Sequence, residues 1–384
     1  MNYRKRETIL YVIHINIQGE LTMKKVIFPH TVKEPRCGEG STVLLKDGRV
    51  YMITCRFVGG GADHSYSDLI GMYLDPETGE TSEETILFGG SHFLNQMSCS
   101  LERFNDGSIG VLFLRKHSAH HDLVFFARSF DECRTWTTPK VISYVNCEDY
   151  YVVNNDRLRQ LRSGRIVVPV CVYPAPGEDF NNSYFQLWYS DDMGESWACS
   201  ENIDISSDVP RPEPYLAAEP WETILSAHFP QEPGVEECSD GTLYYYCRTI
   251  RRYMYQGWSK DQGKTFTTLV PQYDLVSPQS PQSIRREPGS SRLWCVYNDR
   301  SHIAFGDPEK MWSWRTPLTL SYSDDNGRSW TKYEQIEDES HNYCYTSMTF
   351  IGKTLLLTYY ESENREDGTR RNLASLKMQT VQLP

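Results

Sequence analysis

The sequence is short of positive charge. A formal net charge of -12 and a pI near 5.4 leave no basic footprint for a phosphate backbone, which argues against nucleic acid as a partner. It also lacks any apolar run near the roughly 20 residues that a membrane-spanning helix needs. The eleven cysteines form an odd set with no CxxC pair and no metal-ligand spacing. Cys55, Cys171, Cys247 and Cys295 sit inside apolar, strand-like runs, where a thiol acts as a small hydrophobe. Reduced thiols point to a cytosol-like compartment, with secretion as the alternative. Helical periodicity with caps is missing over most of the chain, and no linker rich in Pro, Gly or Ser divides it.

The opening stretch is basic at Arg4, Lys5 and Arg6 and then apolar from Ile9 to Ile17. That run is interrupted by His14 and Asn16 and followed by no small-residue cleavage site, so it reads poorly as a secretory signal. Residues 1–23 are therefore expected to be an extension, with a single domain over 24–384 whose natural beginning is Met23, Lys24 and Lys25.

What the chain has in plenty is strand-forming and aromatic residues: 39% hydrophobic and 13% aromatic, with 25 Tyr and 9 Trp, enough for a sizeable core and many half-buried strand faces. One pattern recurs, Ser-x-Asp-x-Gly-x-x-Trp, starting at Ser129, Ser190, Ser259 and Ser323. Cys133 replaces Gly in the first copy and Phe266 replaces Trp in the third. The spacing from Asp131 to Asp192 is 61 residues, then 69 to Asp261 and 64 to Asp325, so the chain length holds about six such units. An eroded copy runs from Tyr73 through Asp75 to Gly79. Ser and Asp can cap local N–H groups, Gly accepts a positive φ, and the aromatic packs back beneath the turn, which makes a β-hairpin staple. Each unit also carries an earlier Gly-centred turn before an apolar strand, at Gly48, Gly107, Gly164 and Gly241. Two turn signals per unit predict an all-β, six-bladed β-propeller of four-stranded antiparallel blades.

These repeats resemble the Asp boxes of the sialidase (neuraminidase) superfamily, whose fold is a six-bladed propeller. Glu232, followed by the Asp240-Gly241 turn and Arg248, resembles the sialidase stretch in which a Glu opens one inner strand and an Arg ends the next, with Glu237 at a second acidic position. Arg315, eight residues before Ser323, is similar to the third arginine of the sialidase triad. Tyr345, two residues before Ser347, is similar to the nucleophile of the last blade; Tyr343 lies on the same face by two-residue alternation. In the first blade Arg36 matches the first triad arginine and Asp63 the general acid, although the usual Arg-Ile-Pro is absent. His64 competes with Asp63, and Glu39 is a carboxylate the sialidase pattern does not contain.

The resemblance implies that Arg36, Arg248 and Arg315 hold a substrate carboxylate by forked hydrogen bonds. Tyr345, activated by Glu232, would attack the anomeric carbon, and Asp63 would protonate the leaving oxygen. No metal and no cofactor is implied. Asn155 and Arg157, in the run Asn154 to Arg157, are expected to line the pocket, with Glu39 and His64 as further substrate contacts. His117, His120 and His121 beside Asp122 lack a metal-ligand pattern, and His92 and His228 stand near blade entrances. Trp294, Trp312 and Trp314 are expected to be strand core, with a sugar-stacking wall as the alternative. The implied function is an exo-glycosidase that removes a terminal sialic acid or related acidic sugar from a glycoconjugate. A propeller glycosidase for another terminal sugar, and a non-catalytic carbohydrate-binding propeller, remain as alternatives.

Overall fold

Apolar alternation cut by Gly-centred turns produces strands throughout the computed structural model, which describes residues 12–15, 21–89, 93–118, 121–143, 149–174, 183–206, 230–302 and 314–384. No helix occurs among them. Six antiparallel sheets form the blades. Their inner strands are Arg36–Leu44, Asn95–Arg103, the short pair Tyr150–Val152 and Arg159–Gln160, then Gln231–Glu237, Ser283–Arg286 and Tyr343–Ile351. The last of these packs against the first, which closes the ring. Leu21–Phe28 pairs with Arg370–Gln382, so an early strand and the final strand share the sixth blade, and Val12–Ile15 adds a fifth strand to it. The expected fold is therefore the observed one.

The repeated turn works as its chemistry suggests. In the third blade Ser190 Oγ accepts from Gly194 N at 2.8 Å and donates to Asp192 Oδ1 at 2.8 Å, while Asp192 accepts from Ser196 N at 2.8 Å. The same bonds recur at Ser129, Ser259 and Ser323. The glycine does more than relax the backbone. A Cβ on Gly194 would stand 2.2 Å from Phe126, on Gly263 2.3 Å from Leu187, and on Gly327 2.4 Å from Tyr244. Each of these neighbours belongs to the preceding blade, so the bare glycine lets one blade's turn seat on the blade before it. Of the turn aromatics, Trp197 meets Phe126 of the preceding blade edge to face at 5.5 Å, while Phe266 packs on Tyr245 of its own blade at 5.1 Å. The eroded copy keeps the function, since Gly79 has φ +64 and its missing Cβ leaves room for Lys25 and Met378 of the sixth blade.

Because Ser190 is buried and its loss leaves Gly194 N–H without an acceptor, Ser190→Ala is expected to cost about 1–2 kcal/mol. The turn lies away from the axis, so chemical denaturation should show the loss while ligand binding at the axis stays as in the wild type.

Candidate active site

The axial end of each inner strand is not regular sheet. The pairing register shifts between Gly38 and Ser41, between Met97 and Ser100, between Gln231 and Gly234, and between Cys344 and Ser347. Inside those bulges Glu39, Ser98, Glu232 and Tyr345 have φ of 53°, 54°, 48° and 58°. Left-handed non-glycine residues cost on the order of 1–3 kcal/mol each and gather at functional sites. A bulge also re-aims its side chain. All four of these side chains face one cavity of about 370 Å³, large enough for a sugar ring.

The bulges are held from below. Asn155 Nδ2 donates to Gly40 O at 2.8 Å and to Tyr345 O at 3.1 Å, tying the first and last blades together. Arg157 donates from Nε to Pro233 O at 2.9 Å and from Nη2 to Gln282 O at 2.6 Å. Neither lines the cavity, and both are buried. The expectation that Asn155 and Arg157 line the pocket is thereby corrected: the backbone carbonyls freed by the bulges need donors, and these two side chains supply them.

At the cavity wall Tyr345 Oη donates to Glu232 Oε1 at 2.7 Å, and Glu232 Oε2 lies 3.1 Å from Arg248 Nη1. Burial and the Glu232 charge push the Tyr345 phenol up, while Arg248 and Arg315 pull it back. The phenol is thus protonated at neutral pH and hydrogen-bonded to the carboxylate that can take its proton. Tyr343, two residues earlier, packs in the core against Tyr359 at 6.0 Å and does not reach the cavity. The bulge breaks the alternation that had put both tyrosines on one face.

Asp63 and His64 both lie at the rim. Asp63 Oδ1 accepts from Arg36 Nη1 at 2.6 Å, and Arg36 Nη2 also binds Glu39 Oε1. Arg36 Nε donates to Tyr360 Oη at 3.0 Å. Partial desolvation pushes the Asp63 carboxyl up, but the charge and hydrogen bond of Arg36 outweigh it and hold the group below its ordinary range. Glu39 goes the other way. Its burial raises it despite Arg36 and a 2.8 Å bond from Ser98 Oγ.

The three arginines are not equivalent. Arg248 lines the cavity, whereas Arg36 and Arg315 stand behind it. The Arg315 guanidinium lies 5.5 Å from the Tyr345 ring centroid and its Nη1 is 3.3 Å from Cys344 Sγ. The expected convergence of all three on one open spot is therefore corrected: Arg36 is already engaged by Glu39 and Asp63. Glu237 sits at the far end of its strand, where it binds Arg162. Trp294 is core, Trp314 stacks on Arg370 at 4.7 Å, and neither lines the cavity. His117 and His121 have ring centroids 5.7 Å apart. His92, His120, His228 and Trp312 lie outside the described residues.

Residues that sequence reasoning missed are Lys116, Tyr150, Tyr151, Tyr173 and Gln231, all on the cavity wall. Their only sequence signal was position, at strand ends facing the axis. Beside them Asp122 is fully buried, accepts from Tyr151 N at 2.8 Å, and is pushed up to about 7 by burial, with Tyr151 N–H and Lys116 opposing. A raised carboxyl binds its proton more tightly folded than unfolded, so its contribution to stability is present below about pH 4 and lost as pH rises through about 7. Asp122→Asn should therefore gain on the wild type by about 2–3 kcal/mol between pH 5 and pH 8, measured by denaturant titration at both.

The six-bladed propeller with repeated Asp-box turns is the fold that the sialidase resemblance implies, and its bulged inner strands bring a tyrosine–glutamate pair to an axial cavity. The family model for the BNR repeat-like domain matches residues 151–356, more than half of the chain, and the protein belongs to that family. No curated protein matches the sequence. Among solved structures, a protein of unknown function from Dyadobacter fermentans superposes with a TM-score of 0.68 at 14% identity, over 94% of this chain and 99% of that one. The leech intramolecular trans-sialidase, complexed with 2,7-anhydro-Neu5Ac, gives a TM-score of 0.69 at 12% identity, over 94% and 70%. The intramolecular trans-sialidase of Ruminococcus gnavus, in complex with oseltamivir carboxylate, gives 0.67 at 11%, over 92% and 96%. At such identities the likeness is one of fold.

Proposed function

We propose that the protein is a retaining exo-glycosidase that removes a terminal acidic sugar, of the sialic acid kind, from a glycoconjugate. The observation that carries this reading is the 2.7 Å hydrogen bond from Tyr345 Oη to Glu232 Oε1 on the cavity wall. With the sugar in the cavity, Tyr345 Oη attacks the anomeric carbon as Glu232 takes the phenolic proton, and the glycosidic oxygen leaves with a proton. A neutral nucleophile suits an acidic sugar, because a carboxylate nucleophile would approach a like charge. Asp63, at the cavity rim, delivers that proton and, left as the carboxylate beside Arg36, activates the water that cleaves the glycosyl-tyrosine. Two inversions at the anomeric carbon give net retention.

The test is hydrolysis of a chromogenic α-sialoside, run beside aryl uronides and matched neutral glycosides, with proton NMR of the first-formed anomer. Cleavage with retention supports the proposal; a folded sample that cleaves no member of the panel overturns it. A second reading, a terminal sugar without a carboxylate, is favoured by the engagement of Arg36 with Glu39 and Asp63. Turnover confined to the neutral members would establish it.

A further inference from the structure

Lys116 lies near the end of the strand Ile109–Ser118 in the second blade, with its side chain 3% exposed and on the cavity wall. Its Nζ donates to Tyr150 Oη at 2.6 Å and sits 5.1 Å from the centroid of that ring. An ammonium is rarely buried without a carboxylate, because its desolvation is costly unless an anion offsets it. Among the described residues no carboxylate forms an ion pair with it, although Asp122 is its cross-strand partner.

The other charges at the site are matched. Arg36 takes Glu39 and Asp63, and Arg248 takes Glu232. Among the described residues of the cavity wall, Lys116 is the cation that these pairs leave over; Asp122 and Asp63 feel its charge without forming an ion pair with it. Arg315 is likewise left over, but stands behind Tyr345 and not on the wall. Arg36 has its donors directed at Tyr360, Gly61, Asp63 and Glu39, so a substrate anion would have to displace a carboxylate, the exposed Asp63 or the buried Glu39, to reach it.

We propose that Lys116 is the specificity-determining anchor for the substrate, receiving the ring carboxylate of a terminal acidic sugar in the place that the sialidase resemblance gives to Arg36. The inference rests on the reading of the cavity as an acidic-sugar site. A lysine offers a point charge with three rotatable donors where an arginine offers a planar fork. The site therefore selects for the presence of a carboxylate more than for its plane, and Tyr150 Oη fixes where the ammonium stands.

Two measurements separate this proposal from the catalytic one. Calorimetric titration with free sugar acids and with the corresponding neutral sugars reads binding without turnover. Steady-state kinetics on matched acidic and neutral aryl glycosides reads KM and kcat apart. Lys116→Met keeps the length of the side chain and removes its charge. It should weaken binding of the acid roughly 30-fold or more, raise KM for acidic glycosides in step, and collapse the acid-over-neutral preference. Lys116→Arg should restore part of it. Wild-type binding of the acid that Lys116→Met abolishes, with no turnover by either protein, would sustain this inference and sink the enzyme reading. Turnover of acidic glycosides with KM unchanged in a folded Lys116→Met variant would sink the inference and spare the enzyme. Wild-type protein that binds neither sugar, or both equally, also overturns it.

Discussion

Tyr345→Phe is expected to lower kcat by at least about a thousandfold while KM moves by only a few-fold, because on the proposed mechanism the substitution deletes the attacking oxygen and leaves the ring. The ring contacts that survive are substantial. Tyr345 meets Tyr360 edge to face at 5.9 Å and carries the Arg315 guanidinium at 5.5 Å from its centroid, so the variant should keep the wild-type melting temperature. Glu232→Gln should act in the same direction, since an amide cannot accept the phenolic proton, yet it can still bond to Arg248 only through its carbonyl oxygen. If the two residues act as one unit, the double variant will be no slower than the slower single one. Additive losses would mean that they serve separate steps. Undiminished turnover by Tyr345→Phe would remove tyrosine from the chemistry altogether.

The propeller was legible because its signal is local. A turn that needs a capping Ser, a capping Asp and a bare Gly writes itself into eight consecutive residues, and its repetition sets the blade register. With that register the sialidase resemblance could be carried onto Glu232, Arg248 and Tyr345, and the structure brings all three to one cavity wall. Other features escaped because they depend on backbone conformation that no residue type announces. Nothing in Glu39, Ser98, Glu232 or Tyr345 marks it for a positive φ, so the bulges could not be read, and with them went the choice between Tyr343 and Tyr345. Asn155 and Arg157 looked like pocket residues because they are polar at the start of an inner strand. Their partners are carbonyls more than 70 positions away in sequence, at Pro233 and Tyr345. Lys116 carries no motif of its own: it lies near the end of an apolar strand, just before His117, and only its burial on the cavity wall sets it apart.

Arg36→Met is expected to destabilise the fold by about 3–5 kcal/mol, the cost of leaving a buried carboxylate without its cation. Arg36 is 1% exposed, as is Glu39 beside it, so water cannot replace the lost partner. The pH dependence follows from the direction in which Glu39 is already displaced. Burial holds its carboxyl above the ordinary value and Arg36 is the main restraint on that rise; without Arg36 it climbs further. A carboxyl raised in the folded state favours folding at low pH and loses that contribution as pH rises through its folded value. The deficit of Arg36→Met should therefore be smallest near pH 5 and widest near pH 8, in denaturant titrations at both. Glu39→Gln added to Arg36→Met should recover much of the loss, because the pair is then removed together and no buried charge is stranded. This pattern separates a structural arginine from a substrate-binding one. A free triad arginine would be missed mainly by the substrate, with stability little changed and no rescue from Glu39→Gln. An arginine committed to Glu39 and Asp63 is missed by the fold first, and in the proposed function the substrate's carboxylate then finds its charge elsewhere on the wall.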